Sequence, residues 1–230
     1  MSQELLSKLN TSHIEEISSS RNEPDWLKDY RKNSLSIYDN LPIETSPLYN
    51  KYTDAKKMDP EKVSLSTTTT ETVPSFLEKR LSELENEICI IQIGTNIHKI
   101  NLPDELKSKG LVISSISDAI QNNSELVKKA LEASNSNDDR FTALNNAAFN
   151  SGIFIHVPRN LILEKPIHFL TCLSEDGHST ISRNIVFADE SSKSTLIQEL
   201  YSPNIQTQQA YLELMNTNVG ANAQLDVTTL

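Results

Sequence analysis

Residues 138–167, DDRFTALNNAAFNSGIFIHVPRNLILEKPI, change hydrophobic period part-way along, and that change decides the fold. The first part is helical in pattern: Phe141, Leu144 and Ala148 share a face, and Asp138 or Asp139 is placed to accept from the free N–H groups at the start. Gly152 is the expected stop. Beyond it the apolar positions alternate, as in Ile153, Ile155 and Val157, then Ile162, Ile167 and Leu170, then Ile185 and Phe187, then Leu212 and Leu214. The helical period does not return, so the C-terminal third is expected to be serial strands.

A weak repeat runs through those strands. IVFADESSKSTL from Ile185 aligns with LMNTNVGANAQL from Leu214 at an offset of about 29 residues, each an apolar strand, a polar turn and another apolar strand. Each unit leaves one apolar face uncovered, which favours stacked β-coils, a solenoid; an antiparallel sandwich is the alternative. Only Asp176-Gly177 offers a hairpin dipeptide between adjacent strands. With five glycines in the chain, Asn160, Asn184, Asn216, Asn218 and Asn222 are the natural residues for left-handed corners.

The N-terminal part is organised differently. Residues 22–41 read as a helix with Pro24 in its first turn and Trp26, Tyr30, Ile37, Tyr38 and Leu41 on the docking face. Residues 42–72 are rich in Pro, Ser and Thr and read as a connector. A second helix is expected near Pro74, with Ser75 and Glu78 at capping-box spacing and Leu77, Leu81, Leu84 and Ile88 on one face. Strands at 89–93 and near 98–100 and short helices at 117–121 and 125–133 complete the region. The expected division is therefore 1–73, a helical arm and polar linker; 74–150, a small α/β region; and 151–230, the start of the strand array.

Composition excludes several functions. The 230 residues carry a formal charge of -10, and residues 151–230 share in it, with four Lys/Arg against eight Asp/Glu, so nucleic acid is not an expected partner. No stretch has the roughly 18 apolar residues that cross a membrane. Two cysteines 83 positions apart, Cys89 and Cys172, and an N-terminus without a signal-peptide core point to a reducing, cytoplasmic setting.

Motifs for chemistry are missing. The glycines at 94, 110, 152, 177 and 220 are too scattered for a phosphate-binding loop, and no GxSxG, CxxC or HExxH occurs. The strongest cluster is His168, Cys172 and His178, with Glu175 and Asp176 between them. In a strand His168 and Cys172 lie about 13 Å apart, too far to hold one ion, so the cluster reads as a buried thiol beside edge histidines. His156 reads as solvated or turn-facing, and Trp26 as a helix anchor. No catalytic, cofactor-binding or metal residue is assigned.

Taken together, EPDWL at 23–27 with Arg31, Leu41-Pro42, FTALNNAAF at 141–149, GIFIHVP at 152–158, LEKPI at 163–167 and RNIV at 183–186 resemble the SufB/SufD family of iron-sulfur cluster assembly proteins, and the SufD branch more than SufB. The resemblance implies an α+β chain: an N-terminal helical and small α/β region followed by the first coils of a right-handed parallel β-helix, truncated at the C-terminus. It implies a non-enzymatic scaffold acting with a SufB-like subunit and a SufC-type ATPase through regions mostly beyond this chain, with an iron-sulfur cluster only at the level of the full complex. On that reading the chain is the N-terminal portion of a longer protein, and the family's cluster-associated residues fall past Leu230. Two further classes stay open: a β-helical carbohydrate-active enzyme, which needs clustered acids on one face, and a plain interaction module, which needs none.

Overall fold

The computed structural model describes residues 9–42, 63–65, 72–134, 139–173, 178–203 and 208–230; of Ser64 and His178 it describes the backbone only. Helices α1 (Thr11–Ser20) and α2 (Asp25–Asn40) come first, then the two-residue strand β1 (Ser64–Leu65). A 3₁₀ turn (Ser75–Leu77) leads into α3 (Glu78–Glu83), followed by β2 (Ile88–Ile93), β3 (Asn96–Asn101), α4 (Asp104–Ser108) and β4 (Val112–Ser115). Helices α5 (Ile116–Asn122), α6 (Ser124–Glu132) and α7 (Arg140–Ala148) precede β5 (Ile153–Val157), β6 (Ile167–Cys172), β7 (His178–Ala188), β8 (Lys193–Tyr201), β9 (Tyr211–Val219) and β10 (Gln224–Thr229).

The strands make two five-stranded sheets. In the first, β7 pairs with β1, β5 and β9, and β4 adds to β5; the second runs β10-β8-β6-β2-β3. The expected right-handed parallel β-helix is corrected here: both sheets are mixed, with β2/β3 and β4/β5 antiparallel and the other pairs parallel, so the architecture is mixed α/β. The cause is local at β2/β3. Gly94 takes φ +56° in a two-residue loop, and Ile93 pairs with Asn96, which folds β3 back as a hairpin.

From β5 onward the pairing is parallel, β5 to β7 to β9 and β6 to β8 to β10. The repeat alignment is off by two residues in these pairs: Ile185 faces Asn216, and Leu196 faces Val227 rather than Leu225. A slip of two keeps each side chain on its own face, so Leu196 and Leu225 both pack into the core between the sheets. Of the five asparagines expected at corners, Asn160 and Asn222 have positive φ; Asn184, Asn216 and Asn218 lie within β7 and β9, and Ser191 takes the third corner.

Two main cores result. One lies between the sheets, around Ile90, Ile155, Ile167, Phe169, Val186 and Leu196. The other lies between the first sheet and the helices, around Leu27, Leu35, Leu131, Leu144, Phe149, Phe154 and Ile185, with Trp26, Tyr30 and Tyr38 packed at its margin. Helix α7 is shorter than its pattern: Asp139 Oδ1 accepts from Phe141 and Thr142 N–H, and the helix ends at Ala148, four residues before Gly152. The expected helix over 74–88 is cut to one 3₁₀ turn and α3, with no side-chain cap from Ser75, because Ile88 already belongs to β2. Its leucines still form a small third core: Leu77 and Leu84, with Leu81, cover Cys89, Ile91, Leu170 and Cys172 on the outer face of the second sheet.

Candidate functional site

Of the sequence-predicted cluster, only His168 and Cys172 have described side chains, and these have different neighbours. Cys172 and Cys89 are buried free thiols; Cys172 Sγ donates to the Leu173 carbonyl at 3.5 Å and Cys89 Sγ to the Leu84 carbonyl at 3.7 Å. Burial pushes the Cys89 thiol up, away from the reactive thiolate. Glu175, Asp176 and the side chain of His178 lie outside the described residues. Among the described residues no group of three or more His, Cys, Asp or Glu is placed to hold a metal ion.

His168 instead joins a charged cluster on the outer face of the second sheet. Its Nδ1 lies 3.5 Å from Glu199 Oε1. Arg80 of α3 lays its Nε and Nη2 along the same carboxylate, Nε at 2.9 Å from Oε2, and its Nη1 reaches Glu83 at 3.0 Å. Tyr201 O–H donates to Glu199 Oε2 at 2.9 Å. Burial of Glu199 works to raise its carboxyl, but the bonds from Arg80 and Tyr201 outweigh it and hold the group below the ordinary carboxylate range. Burial and the Glu199 charge push the Tyr201 phenol up. Both acids of this cluster, Glu83 and Glu199, are engaged by Arg80, so the arrangement clamps α3 to the sheet.

His156 is half-buried rather than solvated, its Nε2 2.8 Å from Asp189 Oδ2 and its ring edge-on to Phe187. The polar end of the core between the sheets holds Glu213, whose Oε1 accepts from Asn184 at 2.9 Å and Gln198 at 2.7 Å while Oε2 accepts from Tyr211 at 2.7 Å. Burial, then Glu213, pushes the Tyr211 phenol up, so it serves as a donor. Sequence reasoning missed this network; alternation of Ser182, Asn184 and Glu213 with apolar neighbours was its only signal. An apolar cleft of about 570 Å³ opens where β1 meets β7, lined among the described residues by Val63, Leu65, Leu144, Ile181 and Leu212.

A third arrangement joins the N-terminal helices to the body. Arg31 of α2 is fully buried, donates to both Glu23 oxygens at 2.7 and 2.8 Å and to the Ala147 carbonyl at 3.2 Å, and stacks 3.8 Å over the Phe149 ring. Arg21 donates to the Asn150 carbonyl at 2.8 Å, and burial lowers it to about 10. Both cations meet the C-terminal end of α7 and the turn after it, where unpaired carbonyls and the helix dipole favour positive charge.

The sequence around these arginines can be compared with known proteins. Residues 7–169 match the family described as SufBD protein N-terminal region. This chain belongs to the SufBD family. An iron-sulfur cluster assembly SufBD family protein of Staphylococcus aureus strain MRSA252 is 26% identical over 233 residues, covering 96% of this chain and 50% of the relative. Proteins given the same family description from S. aureus strain USA300 and from Staphylococcus saprophyticus are 25% and 24% identical, again covering 96% of this chain and 50% of each relative. The chain thus spans about half the length of the curated relatives it matches. Within the matched family region lie Arg21, Glu23, Arg31, Arg80, Phe149 and His168. Among the described residues no helix is long and apolar enough to cross a membrane.

Proposed function

We propose that this chain is part of a SufD-like scaffold in iron-sulfur cluster assembly, without catalysis of its own, acting in the cytoplasm with a SufB-like subunit and a SufC-type ATPase. The observation that carries the reading is the family match over residues 7–169, joined by relatives named for iron-sulfur cluster assembly. Two features of the chain support it. Buried acids among the described residues sit in ion pairs that brace packing, as at Arg80–Glu199 and Arg31–Glu23. Its five glycines build no nucleotide loop, which agrees with ATP hydrolysis being the work of the SufC-type subunit.

Co-expression with a SufB-like and a SufC-type subunit tests it. The full reading frame, tagged and purified anaerobically, is expected to bring down both subunits, with ATP hydrolysis following the SufC-type subunit and iron and sulfide found with the complex. Hydrolysis by the tagged chain alone, or its purification free of both partners, overturns the proposal.

A further inference from the structure

The two thiols of this chain lie under one short segment. Cys89 of β2 and Cys172 of β6 are fully buried on the outer face of the second sheet. What packs over them there is the 3₁₀ turn and α3, through Leu77, Leu81 and Leu84. Cys89 Sγ donates to the carbonyl of Leu84, the residue that caps α3 at its C-terminus, so the thiol bonds the very element that hides it.

That segment is lightly built. Helix α3 has six residues, no side-chain N-cap and no fully buried residue of its own, and a helix so short does not hold itself together in water. Among the described residues its backbone bonds are local, Leu77 N–H to Pro74, Leu84 N–H to Arg80 and Glu87 N–H to Leu84. It is anchored by Leu77 and Leu84, buried at its two ends, and by the side-on pair of Arg80 with Glu199 of β8. The turn behind it is fixed, because Asn101 Nδ2 donates to the Glu85 carbonyl at 3.1 Å and to the Glu87 carbonyl at 2.6 Å. By contrast β2 and β6 lie inside the sheet, each paired with strands on both sides. Few apolar anchors and one ionic tie, next to a pinned turn, make lifting α3 far less costly than parting those strands.

We propose that residues 75–84 are a lid that lifts off the second sheet as a unit while both sheets stay folded, exposing Cys89 and Cys172 together, and that exchange of Cys89 with a small-molecule disulfide then holds the lid open. In the closed state burial keeps the Cys89 thiol up and unreactive. Once solvent reaches it, its thiolate attacks one sulfur of the disulfide, a mixed disulfide forms, and the other half leaves as a thiolate. Cys89 is at 0% exposure with its Sγ 3.7 Å from the Leu84 carbonyl, so an added sulfur and its substituent have no room beneath the closed lid.

The test uses the full reading frame. Iodoacetamide labelling is followed residue by residue by mass spectrometry, in urea concentrations below the unfolding transition. Cys89 and Cys172 are expected to label with a shared urea slope well under that of global unfolding, since lifting one short segment exposes little surface. Arg80→Met removes the ionic tie and should speed both by about tenfold or more. Incubation with cystamine, a small disulfide, should open the bonds after Lys79 and Arg80 to trypsin, and dithiothreitol should restore their resistance. Should Arg80→Met fail to fold, the wild-type slopes and the trypsin pattern still decide. Labelling of either thiol with the urea slope of global unfolding, rates indifferent to Arg80→Met, or a trypsin pattern unchanged by cystamine overturns the proposal.

Discussion

Gly152 sits at φ +136°, and a Cβ built there would lie 2.0 Å from the Arg183 carbonyl oxygen. The clash is with strand backbone, which cannot swing aside, and the conformation is one that only glycine holds without strain. Gly152→Ala is therefore expected to lower unfolding free energy by about 3 kcal/mol or more, read as a shift in the urea midpoint; a shift below about 1 kcal/mol would show that β7 yields. Glu199 gives a prediction in pH. Its folded-state carboxyl is held below the ordinary value, so the unfolded chain takes up the proton first as pH falls. The stability it contributes is present above the unfolded value, about pH 4.3 for a glutamate, and is lost as pH falls through the folded one. Wild type should thus exceed Glu199→Gln in stability at neutral pH and converge on it in acid, measured by denaturant midpoints across that range. A constant difference would mean that the carboxylate is not the source. Residue type told part of this story in advance. Left-handed residues stand at Asn160, Ser191 and Asn222, a spacing of 31 that is also the register of the paired strands. Two were legible because asparagine tolerates that conformation, and the third was not because serine carries no such signal.

Helix α2 shows how far periodicity reads an element and where it stops. Its span follows from the pattern, but the most buried positions are Leu27, Arg31, Ser34 and Leu35, with the expected aromatics Trp26, Tyr30 and Tyr38 at the flanks. A charge at the centre of a buried face is invisible to a hydrophobic count; only the partner Glu23, eight residues back, makes it possible. Helix α1 went unread because it offers only Ile14 and Ile17 as apolar anchors and depends on Asn10 accepting from Ser12 and His13 N–H. Strand β4 pairs with β5 across two intervening helices and α7, so no local pattern reports the direction of that pair. The Arg31–Glu23 pair then makes a testable hinge between helices and sheet. Removing one partner strands the other in a dry site, so Glu23→Gln and Arg31→Met should each cost about 3–5 kcal/mol. The double variant Glu23→Leu with Arg31→Met should cost clearly less than the two singles added together. Additive losses in a denaturation double-mutant cycle would assign the effect to packing on Phe149 instead.

Among the described residues the two sheets end differently on their two sides. At one side, β4 and β3 end the sheets as antiparallel strands, β3 carrying His98 and Lys99 exposed, which blunts an edge against further pairing. At the other, β9 pairs only with β7 and β10 only with β8 among the described residues, and both run parallel and unblunted. Val219 and Val227 are exposed there at 49% and 41%, next to Met215 and Leu225, which are only partly covered by the core between the sheets. Unpaired N–H and C=O rows beside apolar side chains are a template for another strand, and the formal charge of -10 repels copies only weakly over distances beyond about 8 Å at physiological salt. Residues 1–230 on their own should therefore self-associate reversibly, with mass in multi-angle light scattering rising with protein concentration. Raising salt should strengthen the association by screening the net charge, whereas a purely ionic contact would weaken. Val219→Lys with Val227→Lys places two cations on the two open strands and should return the chain to a monomer while leaving its melting temperature within a few degrees, since both side chains already face solvent. A wild-type chain that stays monomeric across the concentration series would show that these edges are closed in solution by something other than a second copy.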